Sequence, residues 1–288
     1  MTRARSAIAF VTSAAHADST PDDRLALSEL DTLGIRAVPA VWDDPAVPWG
    51  EFSAVVLRST WDYYRRYDEF LAWLDRTARV TTVWNPPELV RWNSHKRYLL
   101  DVAAAGARVV PTEVAVRGSG RTLSSIVALR GWSDVVVKPA VGADAYRLRR
   151  MRKDEPTDGE AHLCDLLATG DALVQPFVAG AERAGERSLV FFDGKFSHAT
   201  EYAFVLGSKA RVGRGLAAPR SLVTQAQEVV AHLSQVPLYA RADFLPGDGG
   251  EWLLGELELI EPDLFLRTDP AAPQRFARAI ADWWARLP

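Results

Sequence analysis

Short apolar runs alternate with amphipathic stretches through the first third of the chain, which predicts strands and helices in turn. Ile8 to Val11 reads as a buried strand. Asp22 to Leu33 carries Leu25, Leu27, Leu30 and Leu33 on a helical pattern that stops at Gly34. Ile35 to Val41 and Ser53 to Leu57 read as two further strands. Asp68 opens a helix through Phe70, Leu71, Trp73 and Leu74, its charge favourable near the helix N-terminus. This β-α-β order predicts a parallel sheet covered by helices. Pro86-Pro87 then marks a break.

The pattern changes in the middle third. Ser94 is positioned to cap a helix running to Ala105 and ended by Gly106. Val109 to Val116 reads as extended and Leu123 to Leu129 as a short helix. Val135-Val136-Val137-Lys138-Pro139 is an apolar strand ending in a cation, with Tyr146 to Met151 as its partner. Gly159 to Ala168 reads as a helix, and Leu173 to Phe177 as a strand leading into a Gly/Ala-rich connector. Ser188 to Phe192 and Phe196 to Tyr202 form a hairpin around Asp193-Gly194, a strong turn signal. Helices follow over Ser221 to Leu233 and Pro273 to Leu287.

Between those last helices lie Tyr239 to Leu245 and Trp252 to Pro262, joined by Pro246-Gly247-Asp248-Gly249-Gly250-Glu251, which reads as a hairpin turn. Strand alternation places Glu256 and Glu258 on one face, and Asp243 and Arg241 on the paired strand can reach it. Buried without compensation, three carboxylates would be costly. A hard divalent cation, Mg²⁺ carrying a nucleotide triphosphate, would neutralise them. The alternative is an edge hairpin whose glutamates face water while Leu257 and Leu259 face the core.

Composition narrows the field. The 288 residues are 48% hydrophobic and 25% charged, with a net charge of −3. That is ordinary globular composition with room for two or three compact units. The charge argues against nucleic acid as a partner. A single cysteine, Cys164, rules out an internal disulfide and a cysteine-based zinc site. The apolar run Ala7 to Val11 is too short for a signal peptide or membrane span. A cytoplasmic chain without a membrane partner is therefore expected. The sequence does not fix the oligomeric state, a homodimer included.

The remaining candidates are polar groups at strand ends. Lys138, followed by Pro139-Ala140-Val141-Gly142-Ala143, suits a phosphate cradle; alternatively it reaches solvent along its stem. Lys96 falls in the expected first helical turn, where an anionic partner would offset the unfavourable dipole. Gln175-Pro176-Phe177-Val178 could hold an adenine edge, or simply link two sheets. Arg58-Ser59-Thr60-Trp61-Asp62 follows a parallel strand, where open α/β sheets bind ligands. Arg58 could hold a substrate carboxylate or form a structural pair with an aspartate. No phosphate-binding Gly-x-x-x-x-Gly-Lys loop, zincin histidine pair or recognisable triad occurs.

The order Lys96, Val-Val-Val-Lys138-Pro, Val-Gln175-Pro-Phe, Gly-Glu186-Arg187-Ser, Arg241-Ala-Asp243-Phe and Glu256-Leu-Glu258 resembles the ATP-grasp superfamily. The Arg58 cluster, Arg91 to Lys96 and Glu256 to Pro262 resemble the branch that holds the cycloserine-biosynthesis ligase. The resemblance implies an α/β chain, α+β in part: a Rossmann-like pre-ATP-grasp domain over 1–90, a central lid subdomain over 91–175 and a catalytic subdomain over 176–288. It implies Lys96 and Lys138 on ATP phosphates, with Asp243, Glu256 and Glu258 on two Mg²⁺ ions. Glu258 stands where an asparagine is usual. Gln175, Pro176, Phe177 and Val178 match the adenine hinge, and Glu186 a ribose-binding acid. Arg241 and Arg211 would stabilise transferred charge. Arg58, Ser59, Thr60, Asp62 and Arg187 are candidates for an amino-acid-like substrate. The activity implied is carboxylate–nitrogen ligation through an acyl phosphate, in the cycloserine-like case by ring closure of an O-ureido-D-serine-like amino acid. The alternatives are an intermolecular amino-acid ligase and a nucleotide-binding protein without ligase activity. Two departures stand out: few glycines follow Lys138 beyond Gly142, and 206–218 lacks the acidic and His-Gly-Gly character of the branch.

Overall fold

The computed structural model describes residues 7–152, 156–202 and 213–287, which build three sheets. The first is parallel, in the order β2-β1-β3-β4, from β1 (Ile8–Thr12), β2 (Ala37–Val41), β3 (Ala54–Ser59) and β4 (Thr82–Trp84). Helices α1 (Pro21–Thr32) and α2 (Tyr67–Ala78) flank it. All of β1 is buried because both faces are covered. Ile8 and Phe10 pack toward α1, and Ala9 and Val11 toward the Phe70, Trp73 and Leu74 stripe of α2. Thr20 caps α1, its Oγ1 accepting from the Asp23 amide at 3.1 Å, and Pro21 occupies the first turn.

Helices α3 (Pro87–Ser94) and α4 (Tyr98–Ala104) follow. The break at Pro86-Pro87 falls between β4 and α3, where Pro87 opens the helix because its missing N–H costs nothing in the first turn. One expectation is corrected. Ser94 ends α3 instead of capping a new helix: its hydroxyl donates to the Arg91 carbonyl at 2.7 Å. His95 is extended, so Lys96 lies in the connection between two helices.

The second sheet is antiparallel, order β5-β8-β6-β7, with β5 (Glu113–Ala115), β6 (Asp134–Pro139), β7 (Arg149–Arg152) and β8 (Ala172–Pro176). Helices α5 (Leu123–Arg130) and α6 (Pro156–Leu167) close one face, where Ile126, Leu163 and Leu166 join Val135, Val137 and Val174 in a separate core. Thr122 and Ser125 form a capping box on α5.

The third sheet is antiparallel, order β11-β10-β9-β12-β13. It comprises β9 (Glu186–Phe192), β10 (Lys195–Tyr202), β11 (Arg214–Leu216), β12 (Tyr239–Pro246) and β13 (Trp252–Glu258). α8 (Arg220–Ala231), α3 and α4 cover one face through Leu222, Ala226, Leu89 and Leu99. The first sheet and α9 (Ala272–Ala285) cover the other, with Phe276 and Ile280 central. The short elements β4, β11 and α7 (Ala179–Ala184) are additions to the sequence reading. α7 packs tightly on β12: a Cβ on Gly180 would lie 1.9 Å from the Pro246 carbonyl oxygen.

One buried group makes stability depend on pH. His198 on β10 is nearly inaccessible, and its Nε2 donates to the Leu264 carbonyl at 2.9 Å. Burial pushes its pKa down from 6.5 to about 4. Between those values the unfolded chain binds a proton that the folded chain does not. Stability is therefore full above the unfolded pKa and is lost as pH falls toward the folded one, by about 2 kcal/mol at pH 5. Lowering the pH from 7 to 5 should therefore cost the wild type about 2 kcal/mol more than it costs His198→Gln, a difference in unfolding midpoints that cancels the other titrating groups.

Candidate active site

The β12–β13 hairpin carries the charges where alternation placed them. Asp243 pairs with Glu256 and Arg241 with Glu258, and a bulge at Asp243/Phe244 leaves Gly255 unpaired. Arg241 grips Asp243 through Nε–Oδ1 and Nη2–Oδ2 contacts of 2.9 Å each. The same guanidinium bonds Glu258, and its Nη1 donates to the Asp263 carbonyl at 3.0 Å. Ser188 donates to Asp243 at 2.5 Å. Glu256 is paired with Lys96. The charges are thus neutralised from within the chain, which is what allows Arg241 and Asp243 to be 1% exposed.

Two asparagines hold the end of this hairpin. Asn93 donates to the Leu257 carbonyl at 2.7 Å and accepts from the Leu259 amide at 2.8 Å. Asn85 donates to the Tyr239 and Leu259 carbonyls, both at 2.8 Å, and accepts from the Leu238 amide at 2.6 Å. Tyr98 takes the Leu257 amide at 2.8 Å. These residues escaped the sequence reading because their partners lie far along the chain.

Beside the hairpin, a cleft opens between the second and third sheets. Val136, Leu148 and Pro176 line it from one sheet, Leu245 and Leu257 from the other. That end is an apolar slot suited to a flat ring. Gln175, Phe177 and Val178 stand on its rim, with the Gln175 amide donating to Thr112 at 2.9 Å. Arg150 stacks on Phe177, its guanidinium carbon 3.4 Å from the ring centre. The other end holds Lys96, Lys138, Glu186, Glu256 and Glu258. Burial and the neighbouring Lys96 push the Lys138 ammonium below the usual lysine range. A buried cation of this kind is a seat for an anion such as a phosphate. The Lys96 ammonium, buried but paired with Glu256, is held above that range.

The other sequence candidates are placed elsewhere. Arg58 is 3% exposed and does not line the cleft. Its Nε donates to Asp23 at 2.9 Å and its Nη2 to the Pro262 carbonyl at 3.0 Å, so the structural pairing is the one formed. Ser59 bonds Thr12, Thr60 is buried, and Asp62 accepts from the Trp42 indole at 3.0 Å. Arg187 lies over the Trp252 ring at 4.6 Å. Asp243 and Arg241 sit behind the cleft wall rather than on it. Arg211 lies outside the described residues.

Glu261 went unassigned in the sequence and lines the cleft beside Tyr63. Burial, with Glu258 next in weight, raises its carboxyl to about 8. Among the described residues no three Asp, Glu, His or Cys side chains converge at metal-binding distance. The hard oxygens of Glu256 and Glu258 nevertheless face the cleft, each held by a cation of the chain itself. Such a donor set fits a hard divalent cation that would displace those contacts.

Comparison with known proteins gives the family. Residues 8–85 match the family model of the N-terminal domain of D-cycloserine synthetase DcsG. The cycloserine biosynthesis protein DcsG of Streptomyces lavendulae is 34% identical, over 96% of this chain and 98% of that protein. The chain belongs to the D-cycloserine synthetase family. The crystal structure of D-cycloserine synthetase DcsG superposes with a TM-score of 0.89, covering 96% of this chain and 99% of that one. The ATP-grasp ligase PsnB, complexed with a phosphomimetic precursor variant, Mg and ADP, shares the fold at a TM-score of 0.66 and 17% identity, covering 98% of this chain and 100% of that one. The fold is ATP-grasp, and the chain is an ATP-dependent ligase. Among the described residues no helix is long and apolar enough to cross a membrane.

Proposed function

We propose that this ligase closes an O-ureido-D-serine-like amino acid into D-cycloserine. ATP phosphorylates the substrate carboxylate, the ureido nitrogen next to oxygen displaces phosphate from the acyl phosphate to close the ring, and the carbamoyl group on that nitrogen is removed by water as carbon dioxide and ammonia. The observation that carries this reading is the two-ended cleft, in a chain that matches a cycloserine biosynthesis protein along nearly its whole length. The base lies in the apolar slot against Gln175 to Val178, with Glu186 on the ribose. Lys138 and Lys96 hold the phosphates. Glu256 and Glu258 on the cleft, joined by Asp243 behind them once its ion pair with Arg241 is displaced, would hold two Mg²⁺ ions, which would supply charge neutralisation for the phosphates. From behind the cleft wall, Arg241 would favour the charge that builds up on the transferred group once Mg²⁺ has taken its carboxylate partners. The rest is positioning in a dry site.

The test is ADP release measured with the purified chain, Mg²⁺, ATP and O-ureido-D-serine. Release that depends on the amino acid, with a cyclic product by mass spectrometry and no second amine present, is expected. Release only on addition of a separate amine would contradict ring closure.

A further inference from the structure

The backbone around Glu261 is anchored residue by residue. The Ile260 carbonyl accepts from the Tyr239 hydroxyl at 2.8 Å. The Glu261 carbonyl accepts from the Trp61 indole at 2.8 Å. The Pro262 carbonyl accepts from Arg58 at 3.0 Å. Three consecutive carbonyls are thus held by buried or half-buried side chains, two of them from the end of β3 and the turn after it. This is the part that the Arg58 and Trp61 cluster plays. A side chain on so fixed a backbone is preorganised.

The Glu261 side chain points into the cleft and the residue is 7% exposed. Among the described residues its carboxylate takes no hydrogen bond or ion pair from another residue. Glu256 and Glu258 have Lys96 and Arg241; Glu261 has no such partner. Burial, then the nearby Glu258, raise its pKa, and Lys96 offsets this only in part. Its only hydrogen bond comes from its own backbone, which leaves the carboxyl with acceptor capacity that a ligand on the cleft can fill. The adjoining group is the phenol of Tyr63, which is buried and neutral. One carboxylate beside one phenol balances a single positive charge with directional N–H donors. Glu256 and Glu258, already paired within the chain, stand nearby as the donors for a hard divalent ion.

We propose that Glu261 is the seat of the amino-acid substrate's ammonium group. The assignment rests on the ligase reading and adds to it the feature by which the site selects an amino acid over a plain carboxylic acid. An ammonium held there leaves the substrate carboxylate free to face the phosphates.

The experiment is calorimetric binding to the protein loaded with Mg²⁺ and ADP, using O-ureido-D-serine and its deaminated analogue. The wild type should prefer the amino acid by roughly 30-fold or more, the loss expected when a buried charge pair loses one member. Glu261→Gln, checked for an unchanged melting temperature, should lose that preference. Its ADP affinity and Mg²⁺ dependence should stay within about 3-fold of wild type, in line with a role confined to the ammonium. Equal binding of both compounds by the wild type, or a preference that survives in Glu261→Gln, would overturn the assignment. So would a matching shift in Mg²⁺ dependence, which would make Glu261 a metal ligand. Binding is read without turnover, so failure of the ligase reading shows separately as absent ADP release.

Discussion

Glu256→Gln is expected to lower amino-acid-dependent ADP release by about 10³-fold while the fold survives. The substitution is isosteric and removes one charge. Glu256 faces the cleft and pairs with Lys96. Without it the buried Lys96 ammonium loses its main counter-charge, and the cleft loses a hard oxygen donor for the cation that accompanies ATP. Both losses fall on groups proposed to hold the phosphates. The far-ultraviolet dichroism spectrum should be unchanged, because the hairpin is held by backbone pairing and by Asn93 and Asn85 rather than by Glu256. A coupled ADP assay on wild type and variant is the measurement. Activity within about 3-fold of wild type would contradict the role given to Glu256.

The second large effect concerns stability. Asn85→Ala is expected to destabilise the chain by roughly 3–5 kcal/mol. Asn85 is fully buried where the first sheet meets the third, and its amide serves the Tyr239 and Leu259 carbonyls and the Leu238 amide. Alanine would leave these groups buried and unpaired, with a cavity beside them. The denaturant midpoint should fall steeply, and the melting temperature by roughly 10 °C. Because Asn85 holds Leu259, just beyond the cleft-lining strand end, activity should fall with stability. A change under about 1 kcal/mol would show that these hydrogen bonds contribute little.

These two residues show what the sequence could reveal. Glu256 was visible because the signal is local: period-two alternation fixes its face, and an obvious turn fixes its partner strand. The same rule gave the parallel first sheet, from apolar runs separated by helical patterns. Asn85 was invisible because its partners are more than 150 positions away in sequence. Nothing in a short window distinguishes such an asparagine from a turn residue. Ser94 failed differently. A serine after Asn93 suits a helix start, but Ser94 ends α3, His95 is extended, and the next helix is entered at Arg97, three residues later. Arg58 reads as a ligand-binding arginine from its strand-end position. Asp23 on α1 and the Pro262 carbonyl, both distant in sequence, claim it. Glu261 was hidden by the same distance, since its exposure to the cleft depends on Trp61 and Arg58 holding its backbone.

The central claim is that this cleft activates a carboxylate by transferring phosphate to it from ATP. The direct measurement uses O-ureido-D-serine labelled with ¹⁸O in its carboxylate, followed by mass analysis of the phosphate released. The account predicts ADP and phosphate carrying one ¹⁸O, transferred when the acyl phosphate is opened by nitrogen. Unlabelled phosphate, or AMP and pyrophosphate in place of ADP and phosphate, would contradict it.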